Sequence, residues 1–277
     1  MKRIFTSLFL CSIFLTSCQL ASSSNLAVNQ ERETELTLRN EIPNDFIPKS
    51  YTIVSVGDSL TEGVGDSSNN GGYIPYLKEK LEEEKGIKDA VFYNFGVSGN
   101  KTSQILRRLQ TSEVKDRIKE ADMVIMTTGG NDVMKVVKEN LLNLDVGDFE
   151  GAKNRYKKEL KSVIETVREE NPDTLICLIG IYNPFYQYLS DIEEMDNIME
   201  DWNQTSQLVL EKYDNTYFAD ISDLFKEGEE NLLYTDYFHP NDRGYELIAK
   251  RVFSVLQNQA INTLTNRQYA VNTKDGL

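Results

Sequence analysis

The strongest constraint on this chain is a repeated switch between two hydrophobic periods. Short apolar, β-branched runs recur at residues 51–56, 90–95, 123–128, 174–181 and 216–219. Between them lie stretches with apolar residues three and four apart, at 73–84, 103–119, 149–170 and 195–213, with a last one at 241–257. Leu160, Val163, Ile164 and Val167 show that spacing. Short runs of this kind read as buried strands, and the longer period reads as helices. Alternating strands and helices require right-handed crossovers. The expected fold is therefore α/β, a three-layer parallel sheet of about five strands with helices on both faces. A chain of 277 residues can form this as one domain, and no internal repeat or second domain is visible. Sheets of this type bind ligands outside the carboxyl ends of their strands. Any motif that carries chemistry is expected directly after a strand.

Four short motifs meet that demand. Gly57-Asp58-Ser59-Leu60 follows the first strand, and Gly96-Val97-Ser98-Gly99-Asn100 follows the second. Gly129-Gly130-Asn131-Asp132 follows the third, and Asp236-Tyr237-Phe238-His239-Pro240 follows the fifth. A serine hydroxyl is a weak nucleophile and needs a base within hydrogen-bond reach. His239 is the single histidine of the chain, so it is the natural base for Ser59. An imidazole also needs a carboxylate to fix its tautomer. Asp236, three residues earlier, can reach the near ring nitrogen across a tight turn. A tetrahedral intermediate needs preorganised donors. Gly99 can supply a backbone N–H, Asn131 its side-chain amide and Ser59 its own N–H.

These four blocks, in this order, resemble those of the GDSL or SGNH hydrolases. The resemblance spans Tyr51 to about Leu256. It implies a flavodoxin-like fold and hydrolysis of carboxylic esters, thioesters, lysophospholipids or acetylated sugars without a metal or other cofactor. It also implies Ser59 as nucleophile, Gly99 and Asn131 as oxyanion donors, and His239 with Asp236 as base and partner. No departure occurs at these five positions. The lipoprotein-like start described below, together with the blocks, is similar to secreted acylhydrolase lipoproteins of Gram-positive bacteria.

The expected reaction is ester cleavage through an acyl-enzyme on Ser59. Sugar O-deacetylation or thioester cleavage with the same triad is the alternative, and a ligand-binding envelope lipoprotein is the non-enzymatic one. Val64, Val133, Met134, Tyr182 and Phe185 are expected to line the substrate pocket. The aromatic cluster of Tyr182, Phe185, Tyr186 and Tyr188 reads equally as a substrate-facing loop or as core. Residues 143–150 read as a lid or a plain connection. The Gly-x-Ser-x-Gly elbow of α/β-hydrolases is missing, because Thr61 stands at its second glycine. One histidine and no Cys-x-x-Cys pair leave little from which to build a zinc site.

The N-terminus has a different character. Met1-Lys2-Arg3 and a short apolar run to Leu15 precede Leu15-Thr16-Ser17-Cys18. This is the layout of a signal peptide, and the run is too short to span a bilayer. The final four residues resemble a lipobox, which implies lipidation at Cys18. The expected organisation is a signal peptide at 1–17, a polar tether at 18–45, the hydrolase domain at 46–260 and a polar tail at 261–277. The chain is then exported and held on the outer face of the bacterial cytoplasmic membrane by lipid. A formal net charge of −14 argues against nucleic acid as a partner. Cys177 lies inside an apolar strand-like run and reads as core.

Overall fold

The computed structural model describes residues 47–140, 145–186, 193–226 and 230–261. The predicted signal peptide and tether lie outside these residues, as do Asn143, Leu144, Tyr188 and all of the tail except Ile261. Among the described residues, five strands form one parallel sheet: β1 (Lys49–Gly57), β2 (Ile87–Gly96), β3 (Met123–Thr127), β4 (Leu175–Ile179) and β5 (Thr216–Ala219). Their order is β2-β1-β3-β4-β5. The connection leaves β1 toward β2 and then returns to the other side at β3. The switch point between β1 and β3 is where a sheet of this order opens a crevice for ligand.

Period-two alternation divides the strands between two cores. Val54, Val56, Val124, Met126, Ile176 and Leu178 face one layer, and Ile53, Ile125, Leu175, Cys177 and Ile179 face the other. The first layer contains α3 (Thr102–Leu109), α4 (Ser112–Lys119), α5 (Gly130–Glu139), α6 (Val146–Glu170) and α7 (Glu193–Leu210). The second contains α2 (Ile74–Glu82) and α8 (Asp242–Gln259). Cys177 is fully buried, and that burial pushes its thiol up to about 12. The reading of Cys177 as a core side chain therefore agrees with the structure. Among the described residues no helix is long and apolar enough to cross a membrane.

The structure departs from the sequence reading in four places. The stretch at 103–119 is two helices, because the Thr111 hydroxyl donates to the Arg108 carbonyl at 2.7 Å and closes the end of α3. The break lets Leu109 and Val114 both reach the core. α5 was hidden in the sequence by its run of β-branched valines, although Val133, Val136 and Val137 carry the helical spacing. Residues 146–150 open α6, with Asp145 as its N-cap accepting from the Gly147 N–H at 2.7 Å. That part of the supposed lid is helix. Finally, Ala260 and Ile261 are buried against the second core, so the domain extends past the expected boundary at 260.

Candidate active site

The site is assembled where the carboxyl ends of β1, β2 and β3 meet. Gly57 and Gly96 stand opposite each other at the ends of β1 and β2. Immediately beyond Gly57, Asp58 caps a one-turn helix, α1 (Ser59–Glu62), by accepting from the Leu60 N–H at 3.1 Å. Ser59 is its first residue and is 4% exposed. The turn packs so closely on β2 that a Cβ at Gly96 would lie 2.1 Å from the Glu62 nitrogen. Glycine is required there because the neighbour is backbone and cannot give way.

Asp58 belongs to a buried polar chain. Thr127 Oγ1 donates to its carboxylate at 2.7 Å and accepts from the Asp58 N–H at 3.1 Å. With the Thr127 proton so committed, Thr61 donates to Thr127 at 2.8 Å and Tyr73 donates to Thr61 at 3.3 Å. Burial pushes the Asp58 carboxyl upward, against the pull of the Thr127 and Leu60 hydrogen bonds. His239 lies near enough for its charge to act on this carboxylate.

The second and third motifs are clamped together. Thr102 donates its backbone N–H at 2.9 Å and its hydroxyl at 2.8 Å to one oxygen of Asp132. The same hydroxyl lies 2.7 Å from Thr128 Oγ1. Asn131 Nδ2 donates to the Asn100 carbonyl at 3.1 Å, which uses one of its two amide hydrogens. Gly99 has a φ of +77°, and open space surrounds the position of a Cβ there. The sequence reading overlooked Thr102 and Thr127, and it gave no site role to Asp58 and Asp132, which stand inside its first and third motifs. The signal it could have used is a carboxylate and a threonine placed beside each motif at strand ends.

His239 sits in a turn in which Tyr237 adopts a φ of 56°, unusual for a non-glycine residue. His239 Nδ1 is 2.7 Å from Asp236 Oδ2. Asp236 Oδ1 accepts from the N–H groups of Phe238 and His239, each at 3.0 Å. Partial burial pushes the Asp236 carboxyl upward. The hydrogen bonds from the His239 ring and from these two N–H groups outweigh it and hold the carboxyl below its ordinary value. An antiparallel bridge between Leu233 and Pro240 closes the base of the turn. The Ser59 hydroxyl and the imidazole are not hydrogen-bonded to each other in this structure. In unliganded enzymes such contacts are often long and tighten only with substrate.

A cleft opens at these strand ends, lined by Ser59, Asn131, Met134, Ile181, Tyr182 and Phe238 among others. Of the five expected pocket residues, Met134 and Tyr182 line it. Val133 does not, because it faces the core from α5 and has no exposed surface. Val64 lies in the loop after α1, where its carbonyl accepts from Tyr245 Oη at 2.6 Å. Phe185 packs on Phe238 with ring centres 6.5 Å apart and stands outside the lining. The aromatic cluster thus serves both purposes left open by the sequence, Tyr182 as wall and Phe185 as packing.

Comparison with known proteins agrees with this geometry. The chain is 33% identical over 261 residues to the uncharacterized protein YpmR of Bacillus subtilis (strain 168), covering 94% of this chain and 98% of that one. It is 30% identical over 202 residues to the spore germination lipase LipC of Bacillus licheniformis, covering 72% and 92%. The solved structure of the lipase Lip_vut3 from a goat rumen metagenome superposes with a TM-score of 0.66 at 28% identity, covering 74% of this chain and 97% of that one. The sequence model of the GDSL-like Lipase/Acylhydrolase family matches residues 55–247, a span that contains all four motifs. The chain belongs to the GDSL-like lipase/acylhydrolase family and is a carboxylic ester hydrolase.

Proposed function

We propose that the chain is an exported, lipid-anchored serine esterase in which Ser59, His239 and Asp236 form the catalytic triad. The observation that carries this reading is the 2.7 Å contact of His239 Nδ1 with Asp236, in a turn whose Phe238 lines the same cleft as Ser59 and Asn131. The contact fixes the tautomer. Nδ1 keeps its proton for the carboxylate, and Nε2 carries the lone pair that accepts the Ser59 proton.

The reaction then runs in two halves. Ser59 Oγ bonds to the ester carbonyl carbon while its proton passes to His239. The tetrahedral oxyanion is met by the Gly99 N–H, the free amide hydrogen of Asn131 and the Ser59 N–H. The C–O bond to the alcohol breaks, and the imidazolium returns its proton to that oxygen. Water, deprotonated by His239, attacks the acyl-serine carbonyl carbon. The bond from that carbon to Ser59 Oγ breaks, the imidazolium returns its proton to Ser59 Oγ, and the acid leaves. The Asp132–Thr102 and Asn131–Asn100 contacts hold two of the donors in place before substrate arrives.

A serine-reactive fluorophosphonate tests the nucleophile. Wild type is expected to label and Ser59→Ala is not. Equal labelling of both would sink the assignment. For the anchor, Cys18 in its lipobox-like context supports a diacyl attachment, which supplies the two chains that stable anchoring needs. Growth with labelled palmitate should mark wild type and leave Cys18→Ser unmarked. Label on the serine variant would place the lipid elsewhere.

A further inference from the structure

We infer, resting on the serine-esterase reading, that the cleft beside Ser59 is an acyl pocket for chains of about two to four carbons, with Met134 and Met199 setting its length. The direction of the pocket follows from topology. β1 and β4 are two strand spacings apart, roughly 9.6 Å, and the cleft is lined from the end of β1 to the end of β4. Met199 comes from α7, which follows β4, so it stands across the cleft from Ser59. An ester carbonyl held between Ser59 and Asn131 therefore sends one substituent toward β4 and the two methionines.

That substituent is the hydrocarbon side. Beyond Ser59 and Asn131 the wall toward β4 includes the apolar side chains of Met134, Ile179, Ile181, Pro184 and Met199. The polar side chains that border it are already engaged, Thr127 with Asp58 and Thr128 with Thr102. The Asp58 carboxylate accepts from Thr127 and Leu60, and the Tyr182 hydroxyl donates to the Phe238 carbonyl at 2.6 Å. A sugar ring would find few partners there, whereas an alkyl chain loses nothing.

The size of the pocket limits the chain. The cavity volume is about 40 Å³. A single water needs roughly 10–15 Å³ on the same measure, so the space holds about three water-sized groups. The walls are backed by core. Met134 and Met199 are 7% and 3% exposed, and Asn203 holds both backbone groups of Ile181, donating to its carbonyl at 2.8 Å and accepting from its N–H at 2.9 Å. A longer chain that stays within the cleft must displace packed side chains.

The test is kcat/KM of the full-length protein on p-nitrophenyl esters from acetate to dodecanoate. The maximum is expected between acetate and butyrate, with octanoate at least about tenfold lower. Met199→Ala and Met134→Ala are each expected to raise the octanoate-to-butyrate ratio about tenfold, a ratio that does not depend on how much of the variant is folded. A wild-type maximum at octanoate or beyond, or a ratio unchanged in both variants, overturns the pocket assignment. Wild type inactive on every ester removes the esterase reading, and the pocket with it.

Discussion

Tyr182 Oη donates a 2.6 Å hydrogen bond to the Phe238 carbonyl, and so ties the end of β4 to the turn that carries His239. The peptide joining Phe238 to His239 is held at both ends, since its N–H donates to Asp236 at 3.0 Å. The Tyr182 ring is itself fixed by stacking on Phe225, with centroids 3.9 Å apart. Tyr182 is thus a positioning residue for His239 as well as part of the cleft wall.

Tyr182→Phe should separate the two roles, because it keeps the ring and removes the hydroxyl. The orphaned carbonyl costs about 1–3 kcal/mol at most, so the protein is expected to fold with a modestly lower Tm. kcat should fall roughly tenfold while KM moves less than about twofold, since ring contacts to substrate persist. A raised KM with unchanged kcat would show that the hydroxyl acts on substrate instead.

Asp132 makes a comparable demand on the oxyanion donors. Its carboxylate takes both Thr102 hydrogen bonds, and Thr102 begins α3 just after the Gly99–Asn100 turn. Asp132→Ala removes the Thr102 tie and leaves that turn held to Asn131 by the Asn131–Asn100 bond alone, and a misplacement near 1 Å costs on the order of 10²-fold in rate. Asp132→Asn retains one acceptor for Thr102 and is expected to recover a large part of kcat. Full activity in the alanine variant would refute the clamp.

Asp58 gives a prediction in pH. Its folded carboxyl is raised above the ordinary value by burial, so between the unfolded and folded values the native state holds more protons than the unfolded chain. Stability contributed at this position therefore falls as pH rises through that window. Asp58→Asn keeps an oxygen to accept from Thr127 and Leu60 but does not titrate. The Tm of the asparagine variant relative to wild type should increase from pH 3 upward and then level off. A difference that is constant with pH, or one that shrinks as pH rises, would contradict the burial argument.

Gly96→Ala tests the seat of the nucleophile. The added methyl meets the Glu62 nitrogen and the Thr61 carbonyl carbon at 2.1 and 2.5 Å, so α1 has to move. A loss of about 1–3 kcal/mol in stability is expected, as for other overpacked sites. Activity per folded molecule should fall further, because Ser59 starts the displaced turn. Denaturant unfolding and active-site titration would measure the two separately.

By itself the sequence determined the five strands, the parallel sheet and the four motifs at its carboxyl ends. Those signals are local. β-branched runs such as 123–127 need a sheet buried on both faces, and Asp236 can reach His239 within one turn because only two residues lie between them. It also held the helical spacing of Val133, Val136 and Val137, but valine's preference for strands concealed it until packing against α6 settled the matter. Only the tertiary structure decided the strand order that brings β1 and β3 together at the switch point, and with it Ser59 beside Asn131. The same holds for the Asp132–Thr102 clamp, the Tyr182–Phe238 bond and the exclusion of Val133 from the cleft. Each joins residues thirty or more positions apart, or turns on which face of a helix meets the core. Burial and long-range hydrogen bonds arise only when the chain is folded, so no local spacing could have announced them.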